Sequence, residues 1–320
     1  MTKINYLKKL GKSNFFKKII NNNSIFNKII QNSFITILYH QVSDHPSEFH
    51  KKNDLCVSLD NFYNQLLFFK KNFNIISPYD LQNKNFKTPS LMITFDDGEK
   101  QFFDKPIEIL NDLNIPVIHF LNMEPILGGI NFNGLTSFLI NEDKRIIDFY
   151  NKDNITLANI TKKQVERFLE YSDKNSLIEK AKYYHGEWAT INDLEKLEKN
   201  KLIFYGNHLY NHYNCANLKN EEIKYQFQIN KKYLDKFKNS LNMFAYPYGQ
   251  HSLYYNNRTN DLIKELGAEY IFTANPENYF WKNKNSLIHR IAIHDYLNNE
   301  VEIKNHLSKP KIRNLLSKNK

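Results

Sequence analysis

The feature that most limits the fold of this chain is a repeated alternation between short apolar runs and helical patterns. The apolar runs predict strands at residues 34–39, 75–76, 91–95, 117–121, 202–205, 243–246, 270–273 and 286–293. Between them, apolar residues at helical spacing predict helices at 58–71, 106–113, 191–199, 221–236 and 260–266. This alternation favours parallel strands, either in an open doubly wound sheet or in a barrel. In both architectures, catalytic groups lie at the carboxyl ends of the strands.

One stretch, residues 124–187, interrupts the alternation. It contains a glycine-bearing loop and then polar helical sequence at 161–171 and 175–184. We expect it to be an insertion that caps one end of the barrel. The predicted organisation is therefore an N-terminal extension over residues 1–33, a barrel over 34–300 that carries the insertion, and a basic C-terminal helix or tail over 301–320.

The positive charge of the chain is concentrated at its two ends. The formal net charge is +10, of which residues 1–33 carry +7 and residues 301–320 carry +5, leaving −2 for the remainder. Because nucleic-acid recognition needs a basic face, the near-neutral body argues against a nucleic-acid partner. The N-terminal lysines alternate with apolar residues in the manner of an amphipathic helix. Such a helix either packs on the barrel exterior or rests on an anionic membrane surface.

Cysteine content and hydropathy exclude further classes. The two cysteines, Cys56 and Cys215, are far apart, so we expect neither a disulfide framework nor a cysteine-based zinc site. A metal would have to be held by histidines and carboxylates. No run of 18 apolar residues predicts a membrane-spanning helix, and the N-terminus lacks the apolar core of a secretory signal. We expect a cytoplasmic protein, with peripheral membrane contact through residues 1–33 as the open alternative.

Three polar clusters follow predicted strands. The first contains two adjacent carboxylates and a glycine, the second a histidine pair four residues apart, and the third a proline and a glycine, at Asp96–Gly98, His208–His212 and 244–249. Adjacent carboxylates at a strand end diverge and can serve separate tasks. The histidines face one point if their segment is helical, and imidazole with carboxylate suits Zn²⁺. Taken singly, each pattern also occurs in ordinary turns.

Taken together and in this order, the clusters resemble the motifs of the polysaccharide deacetylase family, also called the NodB-homology domain or carbohydrate esterase family 4. The segments 38–43 and 62–81 also resemble the start of longer members of that family. The resemblance extends over about residues 34–295. It implies an α/β fold, a distorted (β/α)₇ barrel of the polysaccharide deacetylase type, with the site at the carboxyl ends of the strands.

The resemblance also implies roles for individual residues. Asp96 would be the general base, while Asp97, His208 and His212 would bind one divalent cation. Zn²⁺ is the first expectation, and Co²⁺, Ni²⁺, Mn²⁺ or Fe²⁺ are alternatives. An Asp-His-His triad leaves coordination positions open, as a catalytic site requires. The backbone N–H of Tyr248 would help to form an oxyanion hole.

Two positions depart from the family pattern. Leu209 stands where a Ser or Thr usually follows the first histidine, which removes a hydroxyl that would brace the loop. Ala245 replaces an arginine that usually pairs with the catalytic aspartate. We expect Arg290, on the last predicted strand, to supply this charge instead.

The resemblance also implies a general acid, because the family uses a late histidine to protonate the leaving amine. His294, which is followed by Asp295, is the best match, and His289 and His306 are weaker matches. His40 ends the first predicted strand. It either lines the site or lies elsewhere, and the sequence favours neither alternative.

The resemblance implies a metal-dependent hydrolase that removes an N-acetyl, N-formyl or O-acetyl group from a sugar, in surface polysaccharide biosynthesis. Without an export signal, a lipid-linked or nucleotide-linked glycan precursor is the expected substrate. The alternative is a catalytically inactive carbohydrate-binding relative, which Leu209 and Ala245 favour and the retained base and ligands oppose. A third reading is a membrane-surface scaffold that acts through the basic ends.

Overall fold

The computed structural model describes residues 14–150, 155–275 and 287–317. In chain order its strands are β1 Phe34–Tyr39, β2 Gln41–Val42, β3 Cys56–Val57, β4 Asn74–Ile75, β5 Ser90–Asp97, β6 Val117–Leu121, β7 Ile203–Asn207, β8 Ser240–Ala245, β9 Tyr270–Thr273 and β10 Leu287–Ala292. The α-helices are Asn14–Asn21, Asn23–Ile30, Glu48–Lys52, Leu59–Asn72, Pro78–Gln82, Lys105–Asp112, Met123–Ile126, Phe132–Phe138, Arg145–Tyr150, Lys162–Glu170, Lys174–His185, Ile191–Leu197, Asn220–Leu234, Asn257–Glu265 and Glu300–Ser317. Short 3₁₀ turns occupy Lys100–Phe103 and Cys215–Asn217, and a π-helical turn occupies Leu139–Asp143.

Seven parallel strands of the described chain close into a barrel. Strands β5 to β10 pair in sequence order, and β1 pairs with both β5 and β10, which closes the sheet. Strand β4 adds a short pairing at the start of β5. The predicted distorted (β/α)₇ barrel is confirmed, and the alternative of an open sheet is wrong.

Both faces of the barrel strands are buried, which explains why these strands read as continuous apolar runs. One set of alternate residues fills the interior and the other packs against the surrounding helices. Side chains on a strand alternate between faces, so Asp96 continues the inward row of Met92, and Arg290 that of Ile288. Two charged side chains therefore lie at the top of a largely apolar interior, with Thr94 beside them.

A helical segment lies between β6 and β7 and has its own apolar cluster, which includes Leu139, Ile146, Val165, Phe168 and Leu177. The segment returns to the barrel beside the end of β5. There Ala189 N–H donates to the Gly98 carbonyl at 3.1 Å, and Lys100 N–H donates to the Glu187 carbonyl at 3.1 Å. The division of the chain into an extension, a barrel with an insertion and a basic tail stays a prediction.

The helices Asn14–Asn21 and Asn23–Ile30 pack beside the C-terminal helix. Ile20, Phe26 and Ile30 are buried in the same core cluster as Leu307. Ile20, Phe26 and Ile30 therefore face the protein, whereas Ile19 and Ile25 are exposed. Residues 1–13 lie outside the described residues, and membrane contact through residues 1–33 stays a prediction. None of the described helices combines the length and apolar character needed to cross a bilayer.

Candidate active site

The two adjacent aspartates are the last residues of β5, which runs two residues further than predicted. Asp96 keeps strand geometry, whereas Asp97 has a φ of 77° and Gly98 a φ of 106°. A Cβ at Gly98 would lie 2.9 Å from the side chain of Ile126, so this turn requires glycine. The turn separates the two carboxylates, with Asp96 directed at the barrel interior and Asp97 at the loops above it.

Asp97, His208 and His212 converge, and we call them the strand-end cluster. The Asp97 Oδ1 atom lies 3.4 Å from His208 Nε2 and 3.3 Å from His212 Nε2. Ligand atoms of a tetrahedral zinc site are roughly 3.4 Å apart, given bonds of about 2.0–2.1 Å. All three residues are buried, and Asp97 Oδ1 has no hydrogen-bond partner among the described residues. The donor set therefore fits a divalent cation.

A hydrogen bond to the backbone fixes the orientation of the His208 ring. Its Nδ1–H donates to the Ala245 carbonyl at 2.8 Å, which leaves the Nε2 lone pair directed toward Asp97. A hydrogen bond of this kind sets the tautomer of a metal-binding histidine. Ala245, which stands where the family usually has an arginine, thus orients His208 through its backbone carbonyl.

The segment that carries the two histidines is an irregular loop, so helical geometry is not what brings the two rings together. Leu209 has a φ of 61° and His212 a φ of 46°. Asn122 Nδ2 donates to the carbonyls of His208 at 2.5 Å and Leu209 at 2.8 Å, and Asn207 Oδ1 accepts from the Leu209 N–H at 2.9 Å. These side chains satisfy backbone groups that a helix would have paired internally, and the left-handed residues turn both rings inward.

A third asparagine, Asn230, holds Asn207 in place. Asn230 Nδ2 donates to Asn207 Oδ1 at 2.9 Å and to the Leu121 carbonyl at 2.8 Å. Leu209 itself is completely buried in an apolar cluster. Sequence reasoning did not identify this brace, although Asn207 directly precedes the first histidine.

Arg290 pairs with Asp96 in a bidentate ion pair. The N–O distances are 2.6 Å to Oδ1 and 2.8 Å to Oδ2. Arg290 also donates to the Thr273 carbonyl at 3.2 Å and to Thr94 Oγ1 at 3.2 Å, and it lies over the ring of Phe120. Burial raises the pKa of Asp96, but Arg290 and then His208 outweigh it, so this pKa lies below its ordinary value. Asp96 is therefore ionised.

The strand-end cluster has a similar electrostatic balance. Burial raises the pKa of Asp97, but His212 and His208 outweigh it, and the pKa lies well below its usual range. Burial lowers the pKa of His212 to about 4 despite Asp97. The pKa of His208 is lowered by burial and raised more strongly by Asp96 and Asp97, so it lies above its ordinary value. A carboxylate beside an unprotonated His212 is the form that binds metal.

The turn at Pro247–Gly249 borders the cluster. Tyr248 has a φ of 60° and Gly249 a φ of 67°, and a Cβ at Gly249 would lie 2.4 Å from the Ala274 nitrogen. The Tyr248 ring contacts His212 edge to face at 4.7 Å, and its hydroxyl donates to Asn133 Oδ1 at 3.1 Å. Within the described part of the chain, the Tyr248 N–H donates to no protein group.

The structure brings His40, and not His294, to the carboxylates. His294 Nδ1 lies 3.0 Å from the Asp54 carbonyl oxygen and its ring stacks on Tyr296, with no described contact to the strand-end cluster. His40 follows Tyr39, which lies opposite Phe95 in the register of β1 and β5. Burial lowers the pKa of His40, while Asp97 and Asp96 act to raise it. The described contacts of His294 are therefore with Asp54 and Tyr296, and its role as the acid stays a prediction.

A groove of about 820 Å³ is lined in part by Trp188, which forms an isolated β-bridge with Glu99, two residues after Asp97. Trp188 is half-buried and Tyr183 is 87% exposed, and both line the groove. The strand-end cluster does not line it. Tyr246, which could have stacked on a sugar, is completely buried and stacks on Tyr255, so it belongs to the core.

Comparisons with known proteins agree with this architecture. A family model described as polysaccharide deacetylase matches residues 143–271, which include both histidines and Tyr248. The chain is similar to the Streptococcus pyogenes deacetylase PplD in complex with acetate, at 16% identity and a TM-score of 0.58 over 86% of this chain and 99% of that one.

Two further solved structures have the same fold. They are IcaB from Ammonifex degensii, at 14% identity and a TM-score of 0.57 over 86% of this chain and 97% of that one, and a de-N-acetylase from Aggregatibacter actinomycetemcomitans, at 17% identity and a TM-score of 0.54 over 86% and 99%. No curated protein sequence matches significantly. The family match over residues 143–271 and the shared barrel make the chain similar to the polysaccharide deacetylases in fold and in the order of its motifs.

Proposed function

We propose that this protein is a metal-dependent hydrolase that removes an N-acetyl group from a sugar. The observation that carries the proposal is the meeting of the strand-end cluster with Asp96, beside the turn that bears Tyr248, in a buried position. This set contains a cation site, a base and an oxyanion donor, which are the groups that amide hydrolysis requires.

A divalent cation bound by the strand-end cluster would polarise the amide carbonyl and lower the pKa of water. Asp96 accepts a proton from the attacking water, and Arg290 keeps it ionised for that step. The Tyr248 N–H donates to the carbonyl oxygen as negative charge develops there. One such donor contributes about 3 kcal/mol to stabilising the transition state.

We propose His40 as the general acid that protonates the leaving amine, in place of His294. It lies at the end of β1 beside both carboxylates. Burial lowers the pKa of His40, while Asp97 and Asp96 oppose this effect and favour the protonated form that a general acid needs. After proton transfer the product is a free amine on the sugar, with acetate as the other product.

For the metal, two imidazoles and one carboxylate favour Zn²⁺, with Co²⁺, Ni²⁺, Mn²⁺ or Fe²⁺ as alternatives. For the acyl group, the de-N-acetylase with the same fold supports N-acetyl over N-formyl or O-acetyl. The groove beside Trp188 supports a glycan or its lipid-linked or nucleotide-linked precursor, because an aromatic face stacks on a sugar ring.

The test is acetate release from N-acetylglucosamine oligomers and from lipid-linked N-acetylated sugars. Zinc-loaded protein should release acetate, and chelator should abolish the release. Asp96→Asn, which keeps the shape of the base but not its charge, should be inactive. Zinc binding without turnover on the whole panel would contradict the proposal and favour an inactive carbohydrate-binding relative.

A further inference from the structure

A second group of metal-binding side chains lies beside the active site. It consists of His50, Glu99 and His185, which we call the peripheral cluster, and their exposed fractions are 0%, 3% and 2%. Their ligand atoms all lie within 4.8 Å of one another. The three residues come from the helix Glu48–Lys52, the turn after β5 and the end of the helix Lys174–His185. Three distant parts of the chain thus meet at one point.

Several polar atoms of the peripheral cluster lack partners. His50 Nε2 contacts Glu99 Oε1. Glu99 Oε2 and both ring nitrogens of His185 have no hydrogen-bond partner among the described residues. Nearly all buried polar atoms in proteins are paired, so such a concentration needs an explanation. A cation at the centre of the cluster would satisfy the carboxylate and both imidazoles together.

The two imidazoles are held in position for such a cation. Ser47 Oγ lies 2.6 Å from His50 Nδ1, which leaves Nε2 as the free ring nitrogen facing Glu99. Bonds of this kind orient metal-binding histidines in known sites.

His185 is fixed by stacking. Its ring lies nearly parallel to the rings of Phe49 at 4.5 Å and Trp188 at 4.7 Å, which leaves the edge with the nitrogens available. A Cβ at Gly134 would lie 2.6 Å from His185 Cδ2, so only glycine leaves room for the ring. The neighbours of His185 are therefore shaped around this ring position.

The donor set indicates the class of ion. Two nitrogens and one carboxylate suit Zn²⁺ and related transition metals, whereas Ca²⁺ and Mg²⁺ prefer sets made of oxygen. We propose that the peripheral cluster binds a second cation of the Zn²⁺ class, which fastens the helices Glu48–Lys52 and Lys174–His185 to the turn after β5. This cation is distinct from the one at the strand-end cluster.

The first test is zinc stoichiometry, measured by calorimetric titration of chelator-stripped, untagged protein with Zn²⁺. Wild type should bind two equivalents. Asp97→Asn combined with His208→Gln should bind one, and Glu99→Gln combined with His185→Gln should also bind one. His45→Gln, an exposed histidine five residues before His50, should still bind two. One equivalent in wild type and none in the strand-end variant would overturn the inference.

The second test is thermal and does not depend on the peripheral substitutions folding normally. In the Asp97→Asn, His208→Gln variant, Zn²⁺ should still raise the Tm, because a ligand that binds only the folded state stabilises it. No shift in that variant would overturn the inference. Neither test reads acetate release, so an inactive protein with two zinc equivalents would contradict the proposed function and leave this inference intact.

Discussion

The strand-end and peripheral clusters use the same kinds of side chain but hold them by different means. In the first, Asp97, His212 and the adjacent Tyr248 have left-handed backbone conformations in the segments that follow barrel strands. In the second, stacking and a missing Cβ position His185 at the end of a helix outside the barrel. Strained conformations persist only where the surroundings over-determine them, and a closed barrel provides this. The strand-end cluster, where the chemistry is proposed, therefore has its side chains set by backbone conformation. The peripheral cluster lies where helices dock on the barrel, and its proposed role is to fasten them.

The comparison is tested most strongly by matched isosteric substitutions, one in each cluster. Asp97→Asn should lower kcat/KM for acetate release by roughly 10³-fold or more, because a bound cation contributes several kcal/mol to transition-state stabilisation. Glu99→Gln should cost far less, since Glu99 lies outside the reacting groups. Steady-state kinetics at saturating zinc measures both. Equal losses would mean that the two clusters act as one site.

Arg290→Met tests the buried ion pair that sets the base. The substitution should lower the free energy of unfolding by about 3–5 kcal/mol, because it leaves a buried carboxylate unpaired. With Arg290 gone, burial raises the pKa of Asp96 with less opposition, so the acid limb of kcat/KM should move to higher pH. Denaturant unfolding and a pH profile measure these effects. Adding Asp96→Asn should restore much of the stability, and an unchanged acid limb would contradict the assigned base.

His40→Gln and His294→Gln form a pair that tests the general acid. Loss of the acid should lower kcat by roughly 10²-fold or more, since proton transfer by a positioned group contributes about 10²–10⁴-fold. We expect this loss at His40, and activity close to wild type for His294→Gln, whose partners are Asp54 and Tyr296. Single-turnover kinetics separates this step from binding. The reverse pattern would return the acid role to His294.

The smallest expected effect concerns the brace of the histidine loop. Asn207→Ala removes the acceptor of the Leu209 N–H and should weaken zinc binding at the strand-end cluster by about 10-fold, the lower end for residues that support metal ligands. Competition with a chromophoric chelator measures this affinity. Asn85→Ala, at an exposed site, is the control. An unchanged affinity would show that Asn122 holds the loop without Asn207.

Much of the barrel is predictable because its strands are apolar on both faces. The strands Phe34–Tyr39, Val117–Leu121 and Tyr270–Thr273 have the predicted bounds. The prediction ended too early at Asp97 and Asn207, because polar residues at strand ends break the apolar pattern that marks a strand. The predicted strand ends are therefore wrong at the residues that form or border the candidate site.

The site was predictable where its residues form local motifs, and much less so elsewhere. The family order of motifs pointed to a late histidine, whereas barrel closure brings His40, at the end of β1, beside β5. The peripheral cluster joins positions 50, 99 and 185, which share no spacing that a sequence pattern could reveal. The three residues come together only in the folded structure, where the helical segment between β6 and β7 packs beside the end of β5.

The ion pair between β5 and β10 also links the proposed base to closure of the barrel. Arg290 lies on β10, which follows the other described barrel strands in the sequence, and it reaches past β1 to Asp96 on β5. A nascent or truncated chain that ends before residue 287 would have an open sheet and a base without this counter-charge. The proposed activity would therefore arise only once β10 has closed the barrel. A product that lacks β10 would have neither the closed sheet nor the ion pair that holds Asp96.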